Sequence, residues 1–335
     1  MSERIEYFDF LRGLAIIMVV AIHTFGASYT YESVSLLGIS VRQLMNCAVP
    51  IFCVSSAFFL GNKDFANKYD YFIFLRKQIL RVYLPCLVCS LPYLLLDFRK
   101  EEFIKPVLKF FSCGYSVYYF IALIIQFYIL LPWLKKYSVF RNIPLMAFIS
   151  IVWVFLYTYL IKNYLHVSLP LLLYGGPIFC FIVYFAIGLR YSQRKSFGSV
   201  KLWVALLAVF FVLSVFESYF LMTDSLSGSG LKPSSVLFSI AAVILLYSTT
   251  IREKLNLKKW ISPFAFLGRY SFGIYLTHLY FLTIFSKLLP ATFLANIPKE
   301  LYWGGVTMIV LLADLLFLVV IKNALPKISK WGFGV

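Results

Sequence analysis

Arg12 and His23 stand eleven residues apart inside the first strongly apolar stretch of this 335-residue chain, Phe8 to Ser28. Eleven residues make about three turns of α-helix, so both side chains share one face, with His23 about 16 Å further along the axis. A guanidinium offers a fork of donors suited to phosphate, and an imidazole is the side chain best poised for proton transfer near neutral pH. Each costs on the order of 2 to 3 kcal/mol to place at bilayer depth, so each is expected to face protein or a water-filled cavity rather than lipid. The pair therefore points to a functional pocket. Asp9 precedes Arg12 by three residues, the spacing at which helical side chains touch. A salt bridge that eases insertion of Arg12 and a guanidinium held ready for an anionic ligand both fit that spacing.

Other polar residues interrupt apolar stretches. Ser271, Tyr275 and His278 recur at spacings of four and three, one polar stripe on an otherwise apolar helix; His278 is read either as a hydrogen-bonded packing element or as lining the same cavity as His23. Arg76 and Lys77 enter the third apolar stretch where snorkelling accounts for them. Arg81 lies past the start of that stretch, at a depth like that of Arg12, where the two would form a cationic funnel for a nucleotide-bearing phosphate ligand. Asp314 is expected to meet a cross-helix cation. Asn46, Gln126 and Glu217 are further intrusions.

The elements that position these residues follow from composition. With 61% apolar and 13% charged residues, the chain reads as an integral membrane protein. A span takes about 20 helical residues, and about ten such stretches occur: 10–28, 43–61, 79–96, 116–134, 143–161, 172–190, 202–222, 234–250, 270–288 and 302–321. The expected fold is thus all-α, one polytopic domain over residues 1–335, with no intervening segment long enough for a folded soluble domain.

The net charge of +17 is not gathered into a nucleic-acid footprint but tracks topology. Lys63, Lys68, Arg76, Lys77, Lys135, Lys136, Arg141, Arg190, Arg194, Lys195, Lys201, Arg252, Lys254, Lys258, Lys259, Lys322, Lys327 and Lys330 fall on one side, and a smaller set including Arg42, Arg99, Lys100, Lys105 and Lys109 on the other. By the positive-inside rule both termini are expected in the cytoplasm. Acidic flanking residues Glu3, Glu6 and Asp9 make the first stretch a poor secretory signal and favour a retained helix. The six cysteines show no paired framework, and Cys86 and Cys89, one turn apart, read as small packing residues rather than a metal or redox site. Between spans, Asp97 to Tyr115 interleaves aromatic and aliphatic residues with Lys105 and Lys109, the pattern of an interfacial helix broken at Pro106, read as a lipid-surface anchor ahead of a gate. Thr223 to Ser235 carries a Ser-Gly-Ser-Gly run.

Taken together these residues resemble the acyltransferase-3 family of integral-membrane O-acyltransferases. Its first-helix signature of Asp, Arg and, after ten residues, His is matched by Asp9, Arg12 and His23, with Gly13 following the Arg. Pro50 to Phe58 is similar to the family's Pro, Phe-Phe, Ser-Gly, Phe pattern, and Arg81 to Pro85 to its Arg and Pro element. Tyr118 to Pro132 and FLGRYSFGIYLTH, Phe266 to His278, are similar to its fourth-helix and late Ser, Tyr, His motifs. Gln78 stands where the family often carries a first Arg, and Ala57 where it carries Gly. Tyr119 to Tyr128 is most similar to the branch associated with intercellular-adhesion polysaccharide.

The resemblance implies transfer of an acyl group, acetyl above all, from cytoplasmic acetyl-CoA or another acyl-CoA to a hydroxyl of a cell-surface polysaccharide or lipid-linked glycan, in a bacterial cytoplasmic membrane. His23 would serve as general base or as acyl carrier, and Arg12 with Arg81, Lys77 and Arg76 would neutralise the donor's phosphates. His278, Tyr275, Ser271, Tyr119, Asn46 and Gln126 would contact the acceptor, Tyr119 or His278 steadying the oxyanion. No metal is called for, and the expected partners are the glycan, membrane lipids and further copies of the chain, not nucleic acid. The rival is an exporter or flippase that moves a glycan without chemistry.

Overall fold

The computed structural model describes residues 3–99, 103–193, 196–222, 226, 230–249, 258–288 and 297–335. Of the sequence expectations, those on Lys100, Arg194, Lys195, Arg252 and Lys254, and much of the Thr223 to Ser235 stretch, lie outside these residues. In chain order the principal helices are α1 (Glu3–Ser28), α2 (Leu36–Leu44), α3 (Ala48–Gly61), α4 (Lys68–Asp97), α5 (Ile104–Phe111), α6 (Tyr119–Lys136) and α7 (Ile143–Phe155). They continue with α8 (Leu171–Gly175), α9 (Ile182–Ser192), α10 (Val200–Leu221), α11 (Pro233–Leu246), α12 (Lys258–Leu288) and α13 (Lys299–Ala324). No strand occurs among the described residues.

The protein is an all-α polytopic membrane protein. Seven described helical segments are long and apolar enough to cross a bilayer: Glu6–Ser28, Leu36–Gly61, Lys68–Asp97, Ser116–Lys136, Ile143–Tyr164, Val200–Leu221 and Lys299–Ala324. The stretch expected as one helix over 172–190 is instead broken into α8 and α9. Pro177 stops the first, since it has no amide to carry the hydrogen-bond ladder onward. The stretch over 234–250 corresponds to the shorter apolar α11, and that over 270–288 lies within the 31-residue α12. α5 is not broken at Pro106; the proline falls in its first turn, where the missing N–H has no helical partner to lose. Phe103, Ile104, Leu108 and Phe111 are exposed there.

The chain forms two compact units. The first comprises Met1–Ser55 and Lys195–Val320, the second Ser56–Arg194 and Ile321–Val335. In the first unit, α1 and α12 lie side by side and run parallel: Asp9 and Gly13 meet Phe264 and Gly268, and further along His23 meets His278. The helices touch backbone to backbone, because a Cβ on Gly13 would collide with the Phe264 carbonyl and one on Gly268 with the Asp9 carbonyl. Such small-residue crossings are how membrane helices approach closely. α13 packs on the far half of α1, where Thr24 and Thr307 hydroxyls share a 2.6 Å hydrogen bond and the Trp303 indole donates to the Ala21 carbonyl at 2.9 Å. Phe25, Tyr29 and Trp303 close that end as an aromatic cluster. At the other end, the Tyr7 hydroxyl donates to the Leu246 carbonyl at 2.6 Å and the Tyr247 hydroxyl to the Ile51 carbonyl at 2.8 Å, tying α1 and α3 to the end of α11.

In the second unit, α4, α6, α7 and α9 supply the core. Phe127 stacks on Phe185 with ring centroids 4.2 Å apart, and the Ser150 hydroxyl donates to the Phe179 carbonyl at 3.0 Å. Lys135 joins Asp64 at 2.8 Å, which holds the Asp64 carboxyl below its ordinary range through that hydrogen bond and the ammonium's charge.

Candidate functional site

α1 places Arg12 and His23 on one face, as their spacing requires. Arg12 donates to Asp9 at 3.3 Å, the expected i, i+3 salt bridge, with a third of its side chain still accessible. His23 is half-buried.

The second histidine comes from α12. His278 is 1% exposed, and its ring centroid lies 5.2 Å from that of His23. Its Nδ1 stands 3.0 Å from the Ile274 carbonyl and 2.9 Å from the Tyr275 carbonyl. Only a protonated Nδ1 bonds a carbonyl, so these contacts set the neutral ring's tautomer and leave Nε2 as a lone-pair acceptor. That Nε2 is buried and meets no partner among the described residues. Two imidazoles joined by one hydrogen bond of about 3 Å stand at nearly this centroid spacing, so a rotation of the half-buried His23 ring would engage it.

Ser271 and Tyr275 are buried on the same helix, and the Tyr275 ring centroid is 6.4 Å from that of His278. The stripe expected from sequence thus leads to the histidine pair. Asp314 departs from expectation. It is fully buried, but its Oδ1 accepts from the Thr277 hydroxyl at 2.6 Å, and no cation lies within ion-pair distance among the described residues. A hydroxyl one residue before His278 does the work assigned to an arginine. Oδ2 of Asp314 is buried without a partner among the described residues.

Asn46 also belongs to this unit. Its Oδ1 accepts from the Arg42 guanidinium at 2.7 Å and its Nδ2 donates to Gln43 Oε1 at 2.7 Å. Arg42 is 6% exposed and close enough to His23 for their charges to interact. Sequence reasoning counted Arg42 among loop charges and passed over Lys232. The available signal was Arg42, Gln43 and Asn46 within one helical turn at the mouth of an apolar stretch, a polar face rather than a loop.

The remaining candidates lie in the second unit. Arg76, Lys77 and Arg81 are exposed along α4. Tyr119 opens α6, half-buried beside Gly175. Gln126, expected to contact the acceptor, is bonded to backbone at the start of the break between α8 and α9. Its Nε2 donates to the Gly176 carbonyl at 2.8 Å and the Ala122 carbonyl at 3.1 Å, and its Oε1 accepts from Ile178 N at 3.1 Å. One amide proton therefore goes to the break between α8 and α9 and the other to its own helix. Among the described residues no group of three or more His, Cys, Asp or Glu could hold a metal ion, and Cys86 and Cys89 are buried and not in a disulfide.

A family model described as an acyltransferase domain matches residues 5–323. No curated protein and no solved structure matches the chain.

Proposed function

The chain belongs to the acyltransferase 3 family, and on that premise we propose that it moves an acetyl group from cytoplasmic acetyl-CoA to a hydroxyl of a surface polysaccharide or lipid-linked glycan. The setting we infer is a bacterial cytoplasmic membrane, with both termini in the cytoplasm. The observation that carries the reading is the imidazole pair, His23 beside His278, on the helix that also presents Arg12.

In this reading the Arg12 guanidinium meets the donor's phosphates. About 16 Å of helix separates it from His23, a length that the thin pantetheine arm spans. His23 takes the proton from the acceptor hydroxyl, the oxygen attacks the thioester carbonyl, and the C–S bond breaks as the new C–O bond forms. The imidazolium then returns its proton to the departing thiolate. His278 acts through His23: its Nδ1 is anchored to backbone, and its Nε2 accepts the N–H of the His23 ring and fixes which nitrogen faces the acceptor. Ser271, Tyr275 and Asn46 line the acceptor's side.

Purified full-length protein in detergent, given acetyl-labelled acetyl-CoA and a cell-envelope glycan fraction, tests the proposal. Label appears on the glycan with free CoA released in equal amount; a protein that leaves the thioester intact while moving glycan overturns it.

A further inference from the structure

Two buried cations of the first unit, one of them near His23, have no part in the reaction as written. Arg42 of α2 is 6% exposed and Lys232, just before α11, is fully buried. Their polar neighbours are chiefly neutral. Arg42 Nη1 donates to Asn46 Oδ1 at 2.7 Å, and Lys232 Nζ donates to Gln43 Oε1 at 2.5 Å. That same amide oxygen also accepts from Asn46 Nδ2 at 2.7 Å and from the Ser214 hydroxyl at 3.1 Å.

Among the described residues no carboxylate lies within 4.0 Å of either cation. Glu217 acts on Lys232 from further away, and its Oε2 accepts the Ser234 amide at 2.9 Å. Burying a cation without a counter-charge costs several kcal/mol, and amide oxygens solvate charge without cancelling it. Two buried cations held this way favour an anion between or beside them. Arg42 is near enough to interact electrostatically with both Lys232 and His23.

Resting on the acyl-transfer reading, we propose that Arg42 and Lys232 receive an anionic group of the acceptor, a carboxylate or a phosphate, and thereby present a neighbouring hydroxyl to His23. The acceptor is then an acidic sugar or a phosphate-bearing one rather than a neutral glycan. Gln43 and Asn46 are positioning residues that hold the two cations apart and aimed.

The test is binding, which needs no transfer. Full-length protein in detergent is melted at constant ionic strength with glucuronate, glucose 1-phosphate or glucose, with and without acetyl-CoA. Either anion raises the melting temperature saturably while glucose does not, and Arg42→Gln weakens that binding about tenfold, the effect of losing one charged hydrogen bond. A response to glucuronate alone identifies a carboxylate acceptor, and one to glucose 1-phosphate alone a phosphorylated one. The proposal is overturned if the anions do no better than glucose, if Arg42→Gln binds them as wild type does, or if acetyl-CoA displaces them competitively, which would give the site to the donor. Should Arg42→Gln fail to fold, the wild-type comparison of anions with glucose and the competition with acetyl-CoA decide the matter. Anion binding without acyl transfer would refute the proposed reaction and spare this site; transfer to neutral and anionic acceptors alike would do the reverse.

Discussion

Gly13 packs directly against Gly268, and each stands ten residues before one member of the histidine pair, His23 on α1 and His278 on α12. Because the helices run parallel from that contact, ten residues of rise, about 15 Å on each, deliver both imidazoles to the same level. The backbone crossing therefore sets the register of the site. Gly13→Val should wedge the helices apart: overpacking of this kind costs about 1 to 3 kcal/mol. The variant is expected to melt at lower temperature in detergent and to lose transfer along with it, whereas Gly26→Ala, where an added Cβ meets nothing, should leave both unchanged.

His278→Gln separates positioning from proton transfer. The ring that orients His23 is lost while His23 itself stays, so kcat should fall on the order of tenfold to a hundredfold, the cost of misplacing a reacting group by about 1 Å. KM for acetyl-CoA should hold. A kcat equal to wild type, with an unchanged pH profile, would remove His278 from the mechanism.

Arg12→Ala should act on the donor. KM for acetyl-CoA is expected to rise about tenfold or more, since charged hydrogen bonds contribute roughly 1.5 to 3 kcal/mol, while acceptor dependence stays as in wild type. Steady-state kinetics with each substrate varied in turn reads this directly.

Anion binding at Arg42 and Lys232 should depend on pH. Burial pushes the Lys232 ammonium down to about 7, with Glu217 opposing and Arg42 reinforcing the shift. The group is charged below that value and neutral above it, so affinity for glucuronate or glucose 1-phosphate should drop as pH rises through about 7. In Lys232→Met that step should vanish, leaving the weaker, pH-flat binding of Arg42. Calorimetry from pH 6 to 8.5 checks both.

Much of this was legible in the sequence. The helical spacing of Arg12 and His23 put them on one face, and the stripe Ser271, Tyr275, His278 marked the inner side of α12. Which helix would meet which was not legible, because periodicity defines a face and not its partner. The α1–α12 pairing joins residues more than 250 positions apart, and the glycines that permit it carry no side-chain signal. Gln126 looked like an intrusion into an apolar stretch and proved to satisfy backbone freed by Pro177 two helices later. Asp314 drew an expected arginine because a buried carboxylate invites one, yet a threonine hydroxyl meets it. Arg42 was hidden by lying at a stretch boundary, where charge bias alone explained it.

The most direct test of the central claim is acetyl transfer by His23→Ala protein that is folded by the same melting assay as wild type. Loss of a positioned general base removes about 10²- to 10⁴-fold, so the account predicts no glycan labelling above background while acetyl-CoA still binds. Wild-type labelling by that variant would contradict it.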